Sequence, residues 1–163
     1  MGYAILEANA LLYFGVHTFR HHLSAQDLLA EGQRFVTGLI TTFAPQLFVI
    51  EETCYAKSKR SALLHAFVDE MQRWATRHGL RVMAYTPIMV KQAITGHGAA
   101  TKRDVAETLV QWHPYLAKYL RTDLRTREKY WENMFDAVAL GLTGSEDASA
   151  KALDTKPSRQ GRA

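Results

Sequence analysis

An α/β fold is predicted for this chain, on three observations. Short runs rich in β-branched and aromatic residues alternate with longer stretches whose apolar residues recur at the helical period. Residues 47–50 and 80–85 read as strands on either side of a helical stretch, the strand–helix–strand order that gives parallel pairing through a crossover. The length of 163 residues suits one domain that buries about two thirds of its unfolded surface.

Residues 3–7 and 11–19 read as two strands of a hairpin around Glu7-Ala8-Asn9-Ala10. Ser24 then offers an oxygen to cap a helix, with Asp27 near the positive end of its dipole. That helix runs to about Thr42, spaces Leu28, Leu29, Phe35, Leu39 and Ile40 for burial, and is closed off by Pro45. After the strand at 47–50, a helix over 59–78 uses Leu63, Leu64, Phe67, Met71 and Trp74 as its apolar stripe, and Gly79 terminates it. Beyond the strand at 80–85, Thr86-Pro87 starts a short helix that carries Lys91.

Gly96-His97-Gly98 interrupts the chain, and Thr101 with Asp104 opens the next helix as cap and third residue. Residues 118–129 carry more basic than acidic groups in no clear period, a pattern open to a loop or a solvated helix. The last helix is expected over 128–142. Residues 1–144 form the expected domain, and the small, polar stretch 145–163 is expected to be a disordered tail.

The formal charge of +4 favours an anionic partner without naming one. Cys54 is the single cysteine, which excludes an internal disulfide and points to a cytoplasmic setting. No stretch reaches the roughly 18 uninterrupted apolar residues of a membrane helix, and the amino terminus has no secretory pattern, so a soluble, untargeted chain is expected.

The residues that carry chemistry begin with Phe48-Val49-Ile50-Glu51-Glu52. Strand alternation puts Glu51 and Glu52 on opposite faces. If Glu51 shares the face on which Val49 packs, it needs a partner or a metal; if the strand has ended, both acids are solvated. In the last helix Trp131, Met134, Phe135, Val138 and Leu142 fall on one face, and Asn133, Asp136 and Leu140 on the other. Asp136 is either exposed or a buried acid that requires a partner. Lys57, Lys59 and Arg60, then Lys91, then Lys102 and Arg103 follow strands or open helices, where they would neutralise phosphates or form a solvated surface. Tyr55 would stack on an unpaired base or fill a core or rim. No His-x-x-x-His or Cys-x-x-Cys zinc pattern is present.

Taken together these residues resemble the RuvC-like Holliday-junction resolvases of the ribonuclease H-like superfamily. Ile50-Glu51-Glu52 with Tyr55-Ala56-Lys57 and Ser61-Ala62-Leu63-Leu64 is similar to that family's acidic strand and following helix. Tyr85-Thr86-Pro87, Val90-Lys91-Gln92, Thr95-Gly96, Gly98 and Lys102 are similar to its next strand and basic loop, and Asp136-Ala137-Val138-Ala139 to its last catalytic helix. The resemblance spans residues 2–142.

The resemblance implies a ribonuclease H-like mixed sheet flanked by helices, and a metal-dependent endonuclease that resolves four-way DNA junctions as a homodimer. Glu51 and Asp136 would be metal ligands, with Asn133 at a further ligand position where it supplies no negative charge. Two Mg2+ or Mn2+ ions are expected for the family. Lys91 and Lys102 would act at the scissile phosphate, and Tyr55, Lys57, Lys59, Arg60 and Arg103 would lie on the DNA side. The family begins with a strand ending in Asp-Pro-Gly, whose aspartate is the first ligand, and reaches a Gly-Tyr strand only afterwards. This chain starts at Gly2-Tyr3. The resemblance therefore implies a sheet without its first, central strand, so that its neighbours pair directly or leave two edges. A start site placed downstream of the true one would account for this most economically; a degenerate relative, or one completed by another chain, would account for it too. The alternative function is a catalytically impaired protein that binds branched DNA.

Overall fold

A computed structural model gives the structure of residues 1–20, 23–52, 59–120 and 125–154. The elements are β1 (Gly2–Glu7), β2 (Ala10–Val16), α1 (Ala25–Phe43), β3 (Leu47–Glu51), α2 (Lys59–Arg77), β4 (Arg81–Tyr85), α3 (Pro87–Thr95), α4 (Lys102–Trp112), α5 (Ala117–Leu120) and α6 (Arg125–Asp154). A single 3-10 turn, Pro114–Leu116, leads into α5.

The helix boundaries follow the local chemistry. Ser24 Oγ accepts from the Asp27 amide at 3.1 Å, and Thr101 with Asp104 forms a reciprocal capping box at the start of α4. Pro87 sits in the first turn of α3 behind the Thr86 cap. Gly79 and Gly96 take the left-handed conformation after α2 and α3, at φ 80° and 77°. Helix α1 closes on a left-handed Ala44 ahead of Pro45, a conformation costlier for alanine than for glycine.

Strands β1 and β2 form an antiparallel hairpin. Strands β3 and β4 pair in parallel, with Glu51 opposite Tyr85. Alternation sorts the side chains between two helical layers. Val49, Met83 and Tyr85, with Ala4, Leu6 and Phe14 of the hairpin, join a core built around Met134, Val138 and Leu142 of α6 and Leu109 of α4. Phe48 and Ile50 pack the other way, against Val36 of α1 and Phe67 and Met71 of α2.

Helix α6 spans both strand pairs. A side chain at Gly141 would meet Leu6 of β1, and one at Gly144 would meet Val49 of β3, each at 2.5 Å. At the other end of the contact Gly2 lies against the Asn133 backbone. Among the described residues the two pairs form separate two-stranded sheets, and β1 does not pair with β3.

Four expectations are corrected. The second strand ends at Val16. The expected stripe of α1 is incomplete: its Leu28, Leu29 and Ile40 do pack against the core, but the most buried residues are Gly32 and Val36, because the Phe67 ring lies over Gly32 where any side chain would collide. Leu64 is 55 % exposed and stands outside the α2 stripe. Helix α6 continues past Leu142 to Asp154. Its glycines are the points of close approach to β1 and β3. The extension is anchored: Ser145 Oγ donates to the Ala8 carbonyl, and the Tyr85 hydroxyl donates to Asp147 at 2.8 Å. Residues 145–154 are thus helical, and 155–163 lie outside the described residues.

Candidate active site between β3, α4 and α6

Glu51 is the last residue of β3. Alternation gives it the face of Val49, which packs on α6. Its carboxyl is held above the ordinary glutamate range, first by burial, then by the negative charge of Asp136, with Lys102 opposing. Glu51 and Glu52 are both exposed at the strand end, and the Glu51 carboxyl senses the charge of the acid on the last helix.

Lys102 opens α4, where the Thr101–Asp104 capping box fixes the helix start. Its ammonium donates to Asp136 Oδ2 at 2.6 Å and lies 4.0 Å from Glu132. Burial alone would lower the Lys102 pKa. The hydrogen bond and charge of Asp136, with the charges of Glu132 and Glu51, offset that and leave it raised. The site is thus one cation from α4 held among acids from β3 and α6, and these elements are locked together through Val49, Gly144 and the buried Met134 and Val138.

Lys91 is half-buried on α3. Its charge acts on Asp104, whose carboxyl is held down first by the Thr101 amide and then by the Thr101 hydroxyl. Arg103 is exposed and pairs with Glu107 at 2.8 Å. Asn133 is exposed, one turn before Asp136 on α6. Tyr55 and Lys57 lie outside the described residues, as do the side chains of Lys59 and Arg60. Glu132 is the acid that motif reading passed over. Its signal is the spacing of four to Asp136, which puts both on one face of α6.

The donor set can be weighed against a divalent ion. Among the described residues no group of three or more histidine, cysteine, aspartate or glutamate side chains converges. Glu51 and Asp136 are near enough for their charges to interact, and Mg2+ is commonly held by one or two carboxylates together with substrate phosphates and water. The residues present fit one such ion.

The family model described as crossover junction endodeoxyribonuclease RuvC matches residues 1–123. This chain belongs to the RuvC family. The RuvC of Akkermansia muciniphila is 29% identical over 147 residues, 87% of this chain and 81% of that protein. The RuvC of Natranaerobius thermophilus is 30% identical over 115 residues, 68% of this chain and 71% of that protein. Among solved structures, Thermus thermophilus RuvC in complex with Holliday junction substrate has a TM-score of 0.70 at 25% identity, over 92% of this chain and 87% of that one. A second Thermus thermophilus RuvC structure has a TM-score of 0.64 at 24% identity, over 86% and 80%. The ribonuclease H-like α/β fold follows from these neighbours. Of the RuvC site residues expected from sequence, Glu51, Lys91 and Lys102 fall inside the matched stretch, while Asn133 and Asp136 lie beyond it on α6.

Proposed function

We propose that this chain is a metal-dependent endonuclease that resolves four-way DNA junctions by phosphodiester hydrolysis. The observation that carries the reading is the approach of Glu51 and Asp136, from β3 and α6, around the Lys102 ammonium, in a member of the RuvC family. Two copies acting on paired strands suit a substrate with two-fold symmetry. The exposed Leu64 of α2 offers apolar surface for such a pairing. A cytoplasmic setting belongs to the same reading.

Glu51 and Asp136 would hold Mg2+ or Mn2+, which when bound lowers the pKa of water and polarises a phosphoryl oxygen. The residues do the rest. Lys102 is placed to offset negative charge that develops on the phosphate oxygens, and it must give up its bond to Asp136 as the phosphate enters. Lys91 and Arg103 extend the basic surface along α3 and the start of α4, while Asn133 adds a neutral oxygen one turn from Asp136. Tyr55, Lys57, Lys59 and Arg60, which follow β3 in sequence, belong to the DNA side of the same reading. A further strand between the open edges of β1 and β3, bearing the family's first aspartate, would add a third carboxylate beside Glu51.

The test is cleavage of a mobile four-way junction with Mg2+ or Mn2+, by this chain and by a version extended upstream. Cleavage by either supports the proposal. If both are folded and neither cuts, the enzyme reading fails. The two-carboxylate donor set and the uncharged Asn133 favour a second reading, a catalytically impaired branched-DNA-binding protein. It predicts salt-sensitive junction binding without cutting, and equal affinity for junction and duplex at matched salt would sink it.

A further inference from the structure

A cavity of about 90 Å³ opens between α4, α5 and α6, directly beside the carboxylate site. At roughly 10–15 Å³ per water on this measure it has room for about six to nine waters, comparable in heavy atoms with one pyrimidine base. Its apolar lining includes Ala106 and Phe135, each only 5 % exposed. Tyr119 and Trp131, whose ring centroids are 4.5 Å apart, supply aromatic surface. Arg103 and Glu132 add a donor and an acceptor, and the Lys102–Asp136 pair belongs to both the cavity and the carboxylate site.

This combination differs from an ordinary void in the core. A packing defect would be apolar throughout, whereas here small and aromatic side chains are joined by groups of both charges. Aromatic faces accept a planar base by stacking whatever its identity. A carboxylate can accept from the amino group of cytosine, so Glu132 would discriminate among bases once one is stacked. A phosphate near Lys102 would place its own nucleotide within reach of the cavity, because Lys102 lines it.

We propose that the cavity between α4, α5 and α6 is a binding site for a single unstacked nucleobase of the nucleotide next to the reacting phosphate. The proposal rests on the reading of this chain as a junction-binding protein. It assigns Trp131 the stacking role and Glu132 the choice of base.

The experiment measures affinity for four-way junctions in which one nucleotide at a time around the crossover is abasic, with Ca2+ in place of Mg2+. For the wild-type chain, an abasic site at one position should weaken binding about tenfold or more, from loss of stacking. Trp131→Ala should lose the same factor on the intact junction and nothing further on the abasic one; Trp131→Phe should retain most of the coupling. Glu132→Gln, altered only at a partly exposed carboxyl, should change the ranking of the four bases at that position. If no position is sensitive in the wild type, or if the losses from Trp131→Ala and the abasic site simply multiply, the base site is wrong while junction binding stands. If the wild type binds no junction, both this proposal and the reading beneath it fall.

Discussion

The Lys102 ammonium at the first turn of α4 lies 2.6 Å from Asp136 Oδ2 in the middle of α6. The bond joins a candidate cation of the site to one of its candidate metal ligands.

Removing the cation should therefore be visible at Glu51. Lys102 holds the Glu51 carboxyl down against burial and Asp136, so Lys102→Met should raise the Glu51 pKa further, as read by carboxyl-carbon NMR titration. The same variant should bind Mn2+ more tightly, because two carboxylates lose their built-in counter-charge, while junction affinity falls. An unmoved Glu51 titration would show that the lysine and the glutamate are not coupled.

The raised Glu51 pKa also fixes a pH dependence of stability. A carboxyl with a folded pKa above its unfolded value binds more protons in the folded state between the two, so stability falls as pH rises from the ordinary glutamate range through the raised value. Glu51→Gln should remove that loss, flatten the stability profile through this window and raise Tm at neutral pH. Mg2+ should raise the Tm of the wild type and leave Glu51→Gln much less affected, since a ligand stabilises only the state that binds it. Unchanged Tm profiles in calorimetry would contradict both halves.

Gly144 provides a test of how the site is framed. An added Cβ would lie 2.5 Å from Val49 Cγ2. Alanine is favoured over glycine inside an isolated helix by about 1 kcal/mol, yet here Gly144→Ala should destabilise by about 1–3 kcal/mol through overpacking. Val49→Ala relieves the clash, so the double variant should lose less than the two single losses combined. Chemical denaturation of the four proteins measures this directly. A Gly144→Ala protein more stable than wild type would mean that β3 is free to move from α6, and with it Glu51.

These same contacts mark the limit of what the sequence shows. The parallel β3–β4 pair, the Ser24, Thr86 and Thr101 caps and the Gly79 and Gly96 stops are legible because each depends on chemistry within a few residues. The end of α6 is not, because Gly141 and Gly144 are selected by Leu6 and Val49 from distant strands, and at short range such glycines look like terminators. The approach of Glu51, Lys102 and Asp136 was reached only through resemblance; local pattern left each acid as open to solvent as to a partner. Glu132 belongs to no short motif, and only its helical spacing to Asp136 marks it in the sequence.

The segment of α6 past Gly144 should contribute to the stability of the whole fold. Tyr85, opposite Glu51 in the parallel pair, donates its hydroxyl to Asp147 at 2.8 Å, and its phenol is pushed up to about 12, by burial first and then by the bond and charge of Asp147, against Arg81. The protonated phenol is favoured in the folded state, so its contribution is complete below the unfolded tyrosine value near 10 and is lost as pH rises through about 12. Asp147→Asn should bring the tyrosine titration back toward its ordinary range in ultraviolet absorbance. Tyr85→Phe should cost about 1.5–3 kcal/mol, as for hydrogen bonds to a charged group. A chain cut after Gly144 should lose at least as much as Tyr85→Phe relative to one cut after Asp154, because it also loses the Ser145 bond to Ala8. Equal Tm values for the two cut chains would instead place the working boundary of the domain at residue 144.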